Sequence, residues 1–431
     1  MLWLAAGCGD VALTPPPPIS SATNVLLLTL CTLRADHLGV YGYEGNTTPR
    51  IDRLAARGVL FREVLTPAPW TRASIAAMIT GLYPRTLDIE EPGAGRNDRV
   101  LGSEHETLAE ALSKAGYFTV AATANPNTNV LYNFDQGYDV YRDTGILWRD
   151  GYKEHKVTAV ELSTILLEAL ANETRRPFFA HLVYVDVHFP YRDDVAERAG
   201  FALAGDGPTA RYDRQLRFLD AAIGDLIDTL EARESRDLLV IINSDHGEGF
   251  GEVDRRDRFH GSELYDSTLW VPWIVSHPSL AEGPAGREIT GLASGVDLVP
   301  TVLDLLGVPS EQAFDGISHA DRIRKGTGTS PRKEGIVETR FLRASKSAIV
   351  THKHKLIADD SMPGALRLEL FDRKEGELVN RVRSEPVLAN RLYKRLTAWQ
   401  EAHPARSPAK THTGDLSAGE AEALRALGYA E

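Results

Sequence analysis

The sequence predicts a doubly wound α/β domain, a mostly parallel sheet flanked by helices, followed by a smaller α+β subdomain. Three observations carry that expectation. Mostly apolar runs recur at 24–30, 117–122, 178–185 and 237–242, each short enough for a strand buried on both faces. Helical patterns fall between them, the alternation that builds a parallel sheet. At 431 residues the chain is longer than one small core requires.

The elements follow in order. Asn24-Val25-Leu26-Leu27-Leu28-Thr29-Leu30 reads as the first strand and runs into Cys31, Thr32, Arg34 and Asp36. Thr48-Pro49 opens a short helix, with Thr48 as its cap and Pro49 at its first position. Val59 to Val64 is a strand leading to Pro69-Trp70-Thr71. There Thr71 is expected to cap a largely apolar helix that ends near Gly81. Thr107 to Ala115 is an amphipathic helix stopped by Gly116, and the next strand ends near Asn125. Lys156 to Ala171 is helical, and the strand after it ends in Asp186-Val187-His188. Arg211 to Ala232 is a long helix, and the following strand runs into Ser244-Asp245-His246-Gly247-Glu248. A charged loop precedes His260; then come a strand over 269–275 and a helix over 296–306.

Past about Gly335 the texture changes. Short strands at 348–351, 355–358 and 367–371 precede helices near 387–402 and 417–427. The expected organisation is a leader and Pro-rich linker over 1–23, an α/β domain over 24–330 and an α+β subdomain over 331–431.

The net charge of −12 argues against a nucleic-acid partner. Two cysteines, Cys8 and Cys31, offer neither a disulfide framework nor a thiolate-rich zinc cluster. Leu4-Ala5-Ala6-Gly7-Cys8 looks like the end of a bacterial lipoprotein signal, and Pro15 to Pro18 like a stiff spacer behind it. That pattern predicts lipidation of Cys8 and a bacterial cell-envelope or periplasmic location, with the membrane met only through the anchor.

The chemistry gathers at strand ends, where open α/β sheets bind ligands. Thr71 places a hydroxyl at the positive end of a helix dipole, a setting suited to an oxyanion. Asp245-His246, followed by glycines that permit a sharp turn, brings a carboxylate and an imidazole to one cation. His188 and the Cys31–Asp36 segment end two further strands.

These pieces resemble the sulfatase family of the alkaline phosphatase superfamily. The resemblance runs through Leu33-Arg34-Ala35-Asp36-His37-Leu38-Gly39, Thr48-Pro49-Arg50-Ile51-Asp52, Met78-Ile79-Thr80-Gly81-Leu82, and Phe134-Asp135-Gln136-Gly137-Tyr138. It continues through His188-Phe189-Pro190-Tyr191, Ser244-Asp245-His246-Gly247-Glu248, His260-Gly261 and Leu424-Arg425-Ala426-Leu427-Gly428-Tyr429.

The resemblance implies hydrolysis of a small-molecule or glycan sulfate or phosphate ester. In the family, a cysteine or serine is oxidised to formylglycine, the nucleophile. Here that position is Thr71, and Ile75 stands where the maturation signal has arginine, so formylglycine is not expected. Thr71 instead resembles the threonine nucleophile of related phosphodiesterases. The resemblance implies a divalent metal (zinc, calcium, manganese or magnesium) on Asp245, His246, Thr71 and the residue after the first strand. That residue is Cys31 rather than the usual aspartate, which favours zinc if the thiolate ligates. By the same resemblance Arg34 orients or balances charge, His188 and His260 contact the anionic group or protonate the leaving oxygen, and Asn125 supplies a polar contact. The alternative is a catalytically inactive sulfatase-fold binding or scaffold protein at the cell envelope.

Overall fold

The computed structural model describes residues 19–89, 99–143, 158–171, 173, 176–191, 196–197, 200–201, 205–254, 256–281 and 286–404. Cys8, the spacer at 15–18, and the expected helix at 417–427 lie outside the described residues, as do parts of the loops around the strand ends.

Among the described residues, eleven strands come before residue 330. They are β1 (Asn24–Leu30), β2 (Val59–Leu65), β3 (Phe118–Thr123), β4 (Val140–Arg142), β5 (Phe178–Tyr184), β6 (Leu238–Asn243), β7 (Gly249–Phe250), β8 (Arg258–Phe259), β9 (Trp273–Ser276), β10 (Arg287–Ser294) and β11 (Thr327–Thr329). Nine of these form one sheet in the order β11-β10-β2-β9-β6-β1-β5-β3-β4, and β7 pairs with β8 as a separate hairpin. β1 lies between β5 and β6, parallel to both. Both faces of β1 are covered: Leu26, Leu28 and Leu30 enter one apolar cluster, Val25 and Leu27 the other. That is why its sequence is apolar without alternation.

The expectation of a strand over 269–275 needs correcting. Asp266–Leu269 is a helical turn, and β9 starts at Trp273. β9 is antiparallel to both β6 and β2. No crossover helix carries the chain to the opposite edge after β6, so the next strand must run back. The excursion from Asn243 to Trp273 therefore begins and ends at the edge where β6 finishes. β10 was not foreseen. Gly291, at φ 76°, breaks its pattern, and the pairing with β2 shifts register between Ile289 and Leu292.

Two expected caps differ as well. The first helix, α1, is Pro49–Ala56, and Thr48 makes no side-chain cap bond to it. Asp220, from the helix Pro208–Arg233, accepts from Ile51 N at 2.8 Å and Arg50 N at 3.1 Å instead. The second helix, α2, is Thr71–Thr80, so Trp70 is its cap and Thr71 its first residue. All ten residues of α2 are buried, as a helix apolar on most sides requires.

The second sheet is the antiparallel meander β12 (Glu334–Thr339), β13 (Lys346–Thr351), β14 (His354–Asp359) and β15 (Arg367–Asp372). The helix Pro386–Ala402 covers it through Ala389, Leu392 and Leu396. No described helix is long and apolar enough to cross a membrane.

Candidate active site

Five strand ends meet at one edge. β1, β3, β5 and β6 are parallel neighbours. β2 shares their direction, because β9 is antiparallel to both β2 and β6. The edge therefore collects Cys31 after β1, Thr71 after β2, Asn125 after β3, His188 after β5, and Asp245-His246 after β6.

Thr71 is fully buried at the start of α2. Its Oγ1 lies 3.2 Å from His246 Nε2 and accepts from Asn125 Nδ2 at 3.2 Å. The same amide nitrogen is 3.5 Å from Cys31 Sγ. Asn125 thus links the hydroxyl to the thiol. The geometry is fixed from behind: Ser74 Oγ, one turn into α2, donates to the Asp245 carbonyl at 2.6 Å, and Thr66 Oγ1 contacts the same oxygen. These two hydroxyls tie the helix carrying Thr71 to the strand end carrying Asp245 and His246.

His246 Nδ1 lies 2.9 Å from the Gly247 carbonyl, which can only accept, so Nδ1 carries the proton. Burial pushes the His246 imidazole down to about 4, against the opposing pull of Asp245. The ring is then neutral at pH 7, and Nε2 presents a lone pair. Asp245 Oδ1 accepts from Thr32 N at 3.1 Å and His246 N at 2.8 Å. Asp245 Oδ2 is buried without a hydrogen-bond partner among the described residues, 3.3 Å from His246 Nε2. Thr32 reaches Asp245 from a left-handed backbone, φ 62°, which for a β-branched residue costs on the order of 1–3 kcal/mol.

The other imidazoles adjoin this pair. The rings of His246 and His260 lie 4.4 Å apart, and those of His260 and His188 lie 4.8 Å apart. His260 Nδ1 is 3.1 Å from Glu248 Oε1, and the Glu248 side chain is almost wholly buried. Gly261, at φ 96°, turns the chain beneath Phe341, and Thr339 Oγ1 donates to the Gly261 carbonyl at 2.6 Å. The end of β12 and Phe341 beyond it thereby support the turn that follows His260. Gly247 is required sterically: a Cβ there would meet the Ser267 carbonyl oxygen at 2.1 Å.

Arg34 is turned to other partners. Its guanidinium makes a two-pronged contact with Asp36, at 2.9 and 2.8 Å, and pairs with Glu252. It also donates to the Glu248 carbonyl at 3.0 Å. Burial alone would lower its pKa, but Asp36 and Glu252 hold it above the ordinary value. A planar fork beside a carboxylate prefers this pairing. Arg34 therefore braces the Glu248 segment.

Glu248, Ser74 and Thr66 were not foreseen as parts of the site. Arg72, which follows Thr71, places its guanidinium 3.4 Å over the Tyr132 ring and donates to Asn127 Oδ1 at 3.2 Å. Glu248 was accessible to reasoning, since it stands between Gly247 and Gly249 next to the Asp-His pair.

The expected metal can be tested against these atoms. An unpartnered carboxylate oxygen, a neutral imidazole nitrogen and a hydroxyl are donors that suit a divalent ion. Asp245, His246 and Thr71 fit such an ion. Among the described residues no group of three His, Cys, Asp or Glu able to hold an ion occurs, and Cys31 is linked to Thr71 through the Asn125 amide.

A mostly parallel sheet carries these candidate residues at its carboxyl edge, and the chain belongs to the sulfatase family, a class of ester hydrolases. The Sulfatase family model matches residues 23–308. Its members hydrolyse sulfate esters and typically use a divalent metal ion. Among relatives, N-acetylgalactosamine-6-sulfatase of Canis lupus familiaris is 28% identical over 73% of this chain and 67% of its own. Arylsulfatase A of Homo sapiens is 28% identical over 77% of this chain and 72% of its own. Among solved structures, the phosphonate monoester hydrolase of Agrobacterium radiobacter shares the fold, with a TM-score of 0.71 and 20% identity over 88% of this chain and 96% of its own.

Proposed function

We propose that this chain is a metal-dependent hydrolase of sulfate or phosphate esters that uses the unmodified Thr71 hydroxyl as its nucleophile. One observation carries the reading: Thr71 Oγ1 stands 3.2 Å from a neutral His246 Nε2, beside the unpartnered Asp245 Oδ2. A hydroxyl needs an activating neighbour to attack.

The residues divide the work as follows. Thr71 Oγ1 forms a bond to sulfur or phosphorus as the bond to the leaving oxygen breaks. His246 Nε2 is the acceptor within reach of the hydroxyl proton when no ion occupies it, since its one lone pair serves either the proton or the ion. His260, oriented by Glu248, or the adjacent His188 protonates the leaving oxygen. Asn125 Nδ2 steadies the Thr71 oxygen. Water then displaces Thr71 from the bound sulfuryl or phosphoryl group. Asp245, His246 and Thr71 would hold a divalent ion, which would supply Lewis-acid polarisation at the Thr71 hydroxyl, and with His246 so engaged the hydroxyl proton would leave to water. Zinc is favoured if the Cys31 thiolate joins it.

The test is a metal-supplemented panel of sulfate, phosphate and phosphonate esters. Thr71→Ala should lose activity by about a thousandfold or more with the fold intact, while Thr71→Ser keeps most of it. Equal turnover by Thr71→Ala and the parent overturns the nucleophile. One observation favours a second reading, an inactive binding protein of the same fold: Cys31 stands where the resemblance has a carboxylate. A parent that turns over none of the panel yet binds the esters supports that reading. We also propose a cell-envelope location through lipid on Cys8, tested by fatty-acid labelling of the chain and of Cys8→Ser.

A further inference from the structure

We propose that the cavity beside His188 and His260 receives the alcohol portion of the ester and is built for a planar aromatic group. The proposal rests on the hydrolase reading above. The cavity, of about 210 Å³, is walled by Phe189, Tyr191, Pro208, Phe250 and Phe259. For scale, a buried apolar cavity of roughly 150 Å³ holds one benzene. This one has room for a single ring or a fused pair.

The walls are continuous with the candidate centre. Phe189 follows His188 in the chain, and Phe259 precedes His260. Their rings meet edge to face at 5.2 Å, although Phe189 is 42% and Phe259 52% exposed. Two large exposed rings facing each other over a cavity are more than scattered surface apolars. Phe259 is held there at a cost, in a left-handed backbone at φ 64°, by its pairing with Gly249 in the β7–β8 hairpin.

The polar lining points the same way. Asp206, Arg211 and Arg258 are exposed, so they are poorly placed to satisfy buried sugar hydroxyls. Glu248 is the buried polar group of the lining. Its Oε1 serves His260, and its Oε2 has no hydrogen-bond partner among the described residues. One donor is therefore called for beside the rings, and the phenolic hydroxyl released by cleavage supplies one.

The experiment measures binding of 2-naphthol, with methyl glucoside as competitor, to the full chain and its variants. Thr71→Ala should bind 2-naphthol as tightly as the parent, because the subsite does not depend on the nucleophile. Phe189→Ala and Phe259→Leu should each weaken it by roughly tenfold, and methyl glucoside should not displace it. Thermal melts confirm that each variant is folded; Phe189→Ala removes an exposed side chain. Absence of binding to the parent overturns the proposal, as does unchanged affinity in both Phe variants or displacement by the sugar. Naphthol binding without hydrolysis of any ester would overturn the hydrolase reading and leave the subsite standing.

Discussion

Asp245 Oδ2 and His246 Nε2 face each other at 3.3 Å with no proton to share. The imidazole proton is on Nδ1, against the Gly247 carbonyl. Two lone-pair atoms held this close in a buried site are a place prepared for a cation. The expected outcome is that chelator-treated protein rebinds a divalent ion, and that Asp245→Asn weakens binding by at least about tenfold. Metal titration followed by elemental analysis reads this directly. Unaltered affinity in Asp245→Asn would remove the assignment.

Cys31 stands at the end of β1 on the same edge, joined to Thr71 through the Asn125 amide. A thiolate suits zinc, whereas calcium and magnesium want oxygen. Cys31→Asp should therefore shift metal preference, tightening magnesium or calcium binding by roughly tenfold or more. An increase in ester turnover beside it would mean that the parent lacks only one carboxylate. Preference identical in parent and variant would argue that residue 31 is no ligand.

Glu248 touches His260 and acts through it. Glu248→Ala should lower kcat by about 10- to 100-fold with KM little changed, while Glu248→Gln, which keeps an acceptor oxygen, falls less. Steady-state kinetics separate the two parameters. A matching fall in both variants, confined to KM, would assign Glu248 to substrate binding alone.

Asp297 tests the scaffold apart from the chemistry. It is fully buried, pairs with Arg332, and lies 3.1 Å from His319 Nε2. It also accepts from Ser294 N at 2.9 Å and Ile317 N at 2.8 Å. Burial alone would raise its carboxyl, but Arg332 and His319 hold it below the usual 3.8. A depressed carboxyl contributes stability that is complete above the unfolded value and lost as pH falls through the folded one. Asp297→Asn should cost about 3–5 kcal/mol near pH 7, and the gap to the parent should shrink below about pH 3.8. Chemical denaturation at the two pH values measures both, and a gap that widens in acid would contradict the pairing.

Much of the site was legible because parallel-sheet chemistry sits where apolar runs stop. Each of Cys31, Thr71, Asn125, His188 and Asp245-His246 follows a strand. The local pattern of such a strand is strong, since burial on both faces demands continuous Val, Ile and Leu. Glu248 and Ser74 were hidden for the opposite reason. Their roles depend on partners distant in the chain or across a turn, such as the Asp245 carbonyl 171 residues from Ser74.

Resemblance to the family set Thr71 where a maturable cysteine or serine stands; the sequence by itself determined the α/β class and the strand ends on which the candidate residues fall. These follow from residue type and local periodicity, which are properties of neighbours along the chain. The tertiary structure decided which of those residues act together. It turned β9 antiparallel and so kept His260 at the edge with His246. It committed Arg34 to Asp36 and Glu252, and it set Phe189 against Phe259. The physical reason is that hydrogen bonds, ion pairs and ring contacts are made across space, and the partner for each is chosen by packing that no single segment encodes.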